Sequence, residues 1–78
     1  MSNRQNLIKV FKPNSKRADF TIRSITPQAG ARRLQDELGD QVGELAESGF
    51  RSLEALGAET MTFHAAGRKI KLMAAHSS

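Results

Sequence analysis

Side chains that commonly perform catalysis are scarce in this sequence. It contains no cysteine, tyrosine or tryptophan, which excludes thiolate nucleophiles and thiolate-bound metal ions. His64 has no histidine or carboxylate at ligand spacing on its own face of the predicted strand, and His76 lies in a polar tail. The spacing Gly39-x-x-x-Gly43 lacks the Lys-Ser or Lys-Thr that would follow in a phosphate-binding loop. We therefore expect a protein that is not an enzyme and binds neither a metal ion nor a cofactor.

Acidic side chains are concentrated in the middle of the chain. They recur at helical spacing on the side opposite the apolar positions, where Arg33 and Arg51 can pair with some of them. We interpret them as a solvated helix face, with an acidic docking surface as the alternative. The residues of this acidic cluster are Asp36, Glu37, Asp40, Glu44, Glu47 and Glu54.

The basic residues lie elsewhere. Outside residues 27–56 there are nine Lys and Arg against two acids, a charge of +7, whereas residues 27–56 have three Arg against six acids, a charge of −3. This predicts a molecule with a basic part and an acidic part. The lack of cysteine, of a signal-peptide core in residues 1–6 and of any long apolar run leads us to expect a cytoplasmic protein without membrane contact.

The strongest structural pattern covers residues 26–56, in which apolar or small residues recur every three or four positions on one helix face. Thr26-Pro27 is a strong helix start, since the threonine oxygen can accept from a first-turn amide and proline loses no hydrogen bond there. Gly57 is a natural stop. The stripe consists of Ala31, Leu34, Leu38, Val42, Leu45, Gly49, Leu53 and Leu56.

Gly39 raises the question of whether this helix is continuous. A break would let Gly39 end a first helix and Asp40 cap a second. However, Leu34 and Leu38 before the candidate break are in phase with Val42 after it. We therefore favour a continuous helix that bends at Gly39 at most.

A helix of this length should overhang its own domain. About 30 residues span about 45 Å, whereas a compact chain of this size has a radius of gyration of about 12 Å. Either the helix bends or a second copy covers the overhang. Small residues beside the stripe would allow another backbone to approach closely, either in a homodimer or in local packing. Gly39 and Gly43 are small enough for this approach, and they belong to what we call the small-residue strip, which consists of Gly39, Gly43, Ala46 and Phe50.

Four further segments alternate in polarity as strands do, at residues 7–12, 19–25, 59–65 and 68–74. Residues 13–17 have turn composition, and Ala66-Gly67 predicts a tight turn. The sequence thus predicts a single α+β domain over residues 1–78, with residues 1–5 and 76–78 as frayed tails. Its fold would be a two-layer ββαββ arrangement in which two antiparallel hairpins pack on one long amphipathic helix.

The alternation divides the sheet into two faces. The core face would carry Ile8, Val10, Phe20, Ile22, Met61, Phe63, Ile70 and Leu72. The opposite face would be basic, with Lys9, Phe11, Thr21, Arg23, Thr62, His64, Lys69 and Lys71. A one-residue bulge in the first strand would instead turn Leu7 and Phe11 towards the core.

Two functions follow as hypotheses. In size and character the chain resembles accessory or inhibitor proteins of phages and plasmids, including anti-defence proteins, so we expect a protein-binding module that occupies a partner's surface. The alternative is a nucleic-acid-binding protein that uses the basic sheet face. Either function would use Lys9, Phe11, Arg23, Lys69 and Lys71, with Lys16, Arg17 and Arg68 at the loops.

Overall fold

The computed structural model describes residues 5–74. Its elements are β1 (Asn6–Phe11), β2 (Ala18–Ser24), α1 (Pro27–Leu38), α2 (Asp40–Leu56), β3 (Thr60–Ala65) and β4 (Arg68–Met73). The strands form one antiparallel sheet with the order β2-β1-β4-β3, so β2 and β3 are its edges. This confirms the predicted α+β class. Except for Gln5, the predicted tails lie outside the described residues.

The prediction of one continuous helix is wrong, because the helix is interrupted at Gly39. The backbone there has φ 106° and ψ 165°, a conformation that side chains disfavour. The Gly39 amide donates to the Gln35 carbonyl at 2.8 Å and closes α1, while its carbonyl accepts from the Gly43 amide at 3.1 Å and opens α2. The order is therefore ββααββ. The shared phase of the apolar stripe led to the wrong prediction. A break that occupies a single residue leaves the apolar spacing on either side unchanged.

The two helices fold back on each other as an antiparallel hairpin. Gly43 lies so close to α1 that a Cβ atom there would be 2.6 Å from Gln35 Cβ and 3.1 Å from the Ala31 carbonyl oxygen. At the other end of the hairpin, Phe50 and Pro27 line one groove. Folding back removes the predicted overhang, since the longest dimension is 35 Å and the Cα radius of gyration is 11.8 Å.

The hairpin changes which helix residues are buried. Because α2 packs on α1 as well as on the sheet, Ala46 and Phe50 are in the core. Leu45 and Leu56, which the predicted stripe included, are 43% and 77% exposed. The prediction of the stripe is wrong at these two leucines. It is confirmed at the buried residues Ala31, Leu34, Val42, Gly49 and Leu53.

The local signals at the element ends are confirmed. Thr26 Oγ1 accepts from the Ala29 amide at 3.2 Å and caps α1, whose first residue is Pro27. Gly57 ends α2 with a left-handed φ of 67°. Ala66 and Gly67 have φ values of 53° and 69°, which are the two positive angles of a tight hairpin turn between β3 and β4.

The sheet buries one face beneath the helices, with α1 over β1 and β2 and α2 over β3 and β4. Five of the predicted core residues are buried, namely Ile8, Val10, Ile22, Ile70 and Leu72. Phe20, Met61 and Phe63 are half-buried against them. A bulge occurs in β2, where Asp19 is left out of register between the pairs Phe11–Ala18 and Val10–Phe20. Because β1 itself is regular, Leu7 and Phe11 stay on the side opposite the core.

Candidate functional site

The side of the sheet opposite the helices is covered by no other element among residues 5–74. Strand pairing aligns the side chains of this side in three rows, which together we call the open face. Neighbouring strands are about 4.8 Å apart, so each row is about 14 Å wide. Read from β2 to β3, the rows are Arg23-Leu7-Met73-Thr60, Thr21-Lys9-Lys71-Thr62 and Ala18-Phe11-Lys69-His64.

The open face is basic. Its rows bring together the predicted residues Lys9, Arg23, Lys69 and Lys71 and contain no aspartate or glutamate. In the middle row, Lys9 and Lys71 are direct cross-strand partners. Like charges in this position destabilise a sheet. An anionic group bound over the pair would relieve the repulsion, so the centre of the face favours an acidic ligand.

Apolar side chains lie among these cations. Lys69 Nζ is 5.5 Å from the centroid of the Phe11 ring, a cation–π distance. The lysine therefore covers a ring that a nucleotide base would need for stacking. Leu7 and Met73, which are cross-strand partners, are half-buried in the first row. The face thus combines charge with partly exposed apolar area.

Of the predicted loop cations, Arg68 is paired with an acidic residue of β2. Arg68 Nη1 donates to Asp19 Oδ2 at 2.9 Å, and Lys12 Nζ lies 3.5 Å from Asp19 Oδ1. The hydrogen bond from Arg68, together with the charge of Lys12, lowers the pKa of Asp19 below its ordinary value. Arg68 thus ties β4 to β2, and it also lines a groove with His64 and Lys69 of the open face. Lys16 and Arg17 are exposed in the loop between β1 and β2.

Three of the four residues of the small-residue strip are buried within one chain, whereas Gly39 is exposed. Ala46 is 0% and Phe50 2% exposed, and Gly43 is also buried. The backbone that approaches Gly43 closely belongs to α1. A second copy could reach these residues only if α1 moved away from α2. Of the two interpretations of the strip, local packing is the one that the structure shows.

The acidic cluster lies on the helical layer, away from the open face. Arg51 Nη2 donates to Glu47 Oε1 at 2.9 Å, which is one of the helical pairs expected there. Gln35 Nε2 donates to Asp40 Oδ1 at 2.8 Å across the helix break. The molecule therefore has a basic side and an opposite side that carries most of its acids, as the charge distribution predicts.

Sequence reasoning missed two buried polar residues at the end of the sheet. Asn6 and Ser24 are cross-strand partners and are 4% and 7% exposed. Asn6 Nδ2 donates to the Ile25 carbonyl at 3.2 Å, so it holds the chain where β2 leads into α1. The alternation of the strands could have identified them, because Asn6 and Ser24 are in phase with the buried Ile8 and Ile22.

Other kinds of site find no support in the described part of the chain. Residues 5–74 contain no group of three or more His, Cys, Asp or Glu placed to hold a metal ion. Neither α1 nor α2 has the length and apolar character needed to cross a membrane. Comparison with protein-family models, with curated proteins and with solved structures finds no match. The candidate site therefore depends on geometry and charge alone.

Proposed function

We propose that this chain is a non-catalytic protein-binding module that docks its open face on an acidic surface of a partner. The observation that carries this proposal is the open face itself, which presents cations and apolar side chains without any acid in its three rows. The acidic cluster lies on the helical side of the molecule. An acidic partner would therefore be attracted to one side and repelled by the other, which orients the encounter.

The mixed chemistry of the open face favours a protein over other anions. Aromatic, methionine and arginine side chains are enriched in protein interfaces, and Phe11, Met73 and Arg23 supply one of each. Leu7 and Met73 form an apolar pair that a protein surface can cover, whereas a phosphate backbone gains nothing from it. Occupying a partner's surface needs no catalytic residue, which suits an inhibitor or accessory protein of the phage or plasmid type.

Nucleic acid is the second candidate, and the Lys9–Lys71 pair is the observation that favours it. Two phosphates in succession could neutralise this pair and release counterions. Such binding would be directed at the backbone and independent of sequence, because Lys69 covers the Phe11 ring. Its affinity would fall steeply as salt rises.

Charge reversal on the open face tests the proposal. We would compare the wild type with the double variant Lys9→Glu/Lys71→Glu in capture experiments on a nuclease-treated lysate of the encoding organism. The matched control is Arg32→Glu/Arg33→Glu, which makes the same charge change at exposed positions of α1. Circular dichroism would establish that both variants are folded.

The proposal expects a protein that the wild type and the α1 variant capture and the sheet variant loses. Equal capture by all three chains would contradict it, as would proteins that are captured from a parallel untreated lysate but not from the nuclease-treated one. Mobility shifts with single- and double-stranded DNA and RNA at two salt concentrations test the second candidate. A salt-sensitive shift that only the sheet variant loses would establish nucleic acid as the ligand.

A further inference from the structure

β3 is an edge strand without protection. In an antiparallel pair, hydrogen-bonded and non-bonded residue pairs alternate, and the Ala74 amide donates to the Glu59 carbonyl at 3.0 Å. Counting from this bond, Thr60, Thr62 and His64 direct their backbone N–H and C=O groups away from β4. Edges are commonly protected by lysine, proline or a bulge. β3 has none of these.

The helix flank beside this edge is uncharged and partly apolar. Because α2 lies over β3 and β4 while α1 lies over the other strands, the flank of α2 turned away from α1 is on the β3 side. At 100° per residue, this flank consists of Gln41, Leu45, Ser48, Ser52 and Leu56. Below it, Met61 and Phe63 are only half-buried. The flank and β3 contain no Asp, Glu, Lys or Arg, although 26% of the chain is charged.

We propose that β3 pairs antiparallel with β3 of a second copy of this chain, about a two-fold axis at Thr62. This register places Thr62 opposite Thr62 and Thr60 opposite His64, so each outward N–H and C=O meets a partner and no like charges meet. On the helix side, Met61 of each copy comes opposite Phe63 of the other. The edge is therefore complementary to itself, as a symmetric dimer interface requires.

The helical layer fits the same arrangement. Strand spacing places α2, which lies above β3 and β4, about 10 Å from α2 of the second copy, which is a normal distance for packed helices. A Cβ atom at Gly49 would be 3.1 Å from Met61 Sδ, so the axis at Thr62 passes near the middle of α2. Leu45 of one copy then faces Leu56 of the other, which buries the two most exposed leucines of the helical layer.

The dimer would have one eight-stranded sheet covered by four helices. A two-fold axis perpendicular to the sheet leaves both open faces on the same side. The basic face becomes a continuous surface about twice as wide, with Lys9 and Lys71 contributed by each copy. This inference does not depend on what the open face binds.

One substitution at each edge tests the interface. Thr62→Lys places two lysines opposite each other on the axis, and Thr21→Lys is the matched control. Both threonines are exposed and end the middle row beside a lysine, but Thr21 is on β2. Thr62→Pro is the second variant, since it removes an outward amide that β4 does not use, and edge strands tolerate proline there. Sedimentation velocity over a range of concentrations measures the mass.

We expect the wild type to reach twice its mass of 8.6 kDa. Thr62→Lys should raise the dissociation constant at least about tenfold, whereas Thr21→Lys should leave it unchanged. Hydrogen exchange adds a local readout, because the amides of Thr60, Thr62 and His64 should be protected only in the dimer. The amides of Met61 and Phe63, which pair with β4, should be protected in every variant.

Three results would overturn the proposal. The first is a wild type that stays monomeric at about millimolar concentration. The second is a dimer that both Thr62→Lys and Thr62→Pro leave intact, with the outward β3 amides exchanging as in the monomer. The third is an equal loss of dimer with Thr21→Lys, which would show that added charge acts without regard to the edge.

Discussion

The two edges of the sheet differ in how completely the chain closes them. β2 has a bulge at Asp19, carries Arg23 and lies beneath α1. Of its two core residues, Ile22 is only 3% exposed and Phe20 is half-buried. β3 is regular, has no charged residue and leaves Met61 and Phe63 half-buried. A bulge and charged side chains are the usual means of preventing edge-to-edge association. The β2 edge is therefore protected against pairing with another chain, whereas the β3 edge is available for it.

The difference shows that a strand's position in the sheet does not determine how it is used. Both edge strands belong to hairpins, and both lie beneath a helix. What separates them is the local chemistry, together with α2, whose exposed flank extends the β3 edge with Leu45 and Leu56. The unpaired edge and the uncharged flank occur on the same side, and this coincidence supports an interface there.

Truncating a core residue of each edge strand should reveal the difference between the two edges most strongly. Ile22→Ala should lower the free energy of unfolding of the monomer by about 3 kcal/mol, because it opens a cavity in a closed site. Phe63→Ala should cost the monomer about half as much, since part of its ring is already in water. Urea unfolding at low protein concentration measures both.

Raising the protein concentration sharpens this test. A stability loss from Phe63→Ala that grows with concentration would reveal the missing dimer contact, whereas Ile22→Ala should show no such dependence. Equal costs for the two variants at every concentration would contradict the distinction between the edges.

α1, which lies over β2, packs closely against α2, and Gly43→Ala tests this contact. The new methyl group would meet Gln35 and the α1 backbone, an overpacking cost of about 2 kcal/mol. Better helix propensity returns about 1 kcal/mol, so the net loss should be about 1 kcal/mol in thermal or urea unfolding. Ser48→Ala, at an exposed position of the same helix, is the control and should not destabilise. A Gly43→Ala protein that is as stable as the wild type would contradict the close contact between the helices.

The smallest effect is expected at the Asp19 bulge. Because Arg68 lowers the pKa of Asp19 in the folded state, the ionised carboxylate stabilises the fold above its ordinary pKa of 3.8. This stabilisation is lost as the pH falls through the lowered value. Asp19→Asn should therefore melt at a slightly lower temperature than the wild type at pH 7, and the difference should vanish in acid. A difference that is independent of pH would exclude the carboxylate charge as its cause.

Much of the fold could be predicted from local patterns. Thr26, Pro27 and Gly57 mark helix ends because their chemistry acts within one turn, and Ala66-Gly67 makes its turn without distant contacts. The four strands were predicted to within a few residues, since period-two alternation identifies them directly. The cations of the open face were also predicted, because alternation assigns each residue to a face.

The errors concern contacts between distant segments. Helical periodicity assigned Leu45 and Leu56 to the core and left Phe50 beside it, because one helix stripe cannot show that α2 also packs on α1. Within the small-residue strip, Gly43 is a point of close backbone approach, whereas among the described residues Gly39 has no neighbour within reach. Whether that approach involves the same chain or another copy depends on the turn at Gly39, which periodicity does not reveal.

The sequence alone determined the types of element, most of their ends, the separation of charge and the residues of the basic sheet face, because all of these depend on local conformation and on the period of each element. Only the tertiary structure decided the strand order, the antiparallel helix hairpin and the side of α2 that remains exposed. Those features depend on which surfaces meet across the chain, and burial against a distant segment can override any local pattern. The unprotected β3 edge belongs to this second group, since a strand becomes an edge only when the whole sheet has been assembled.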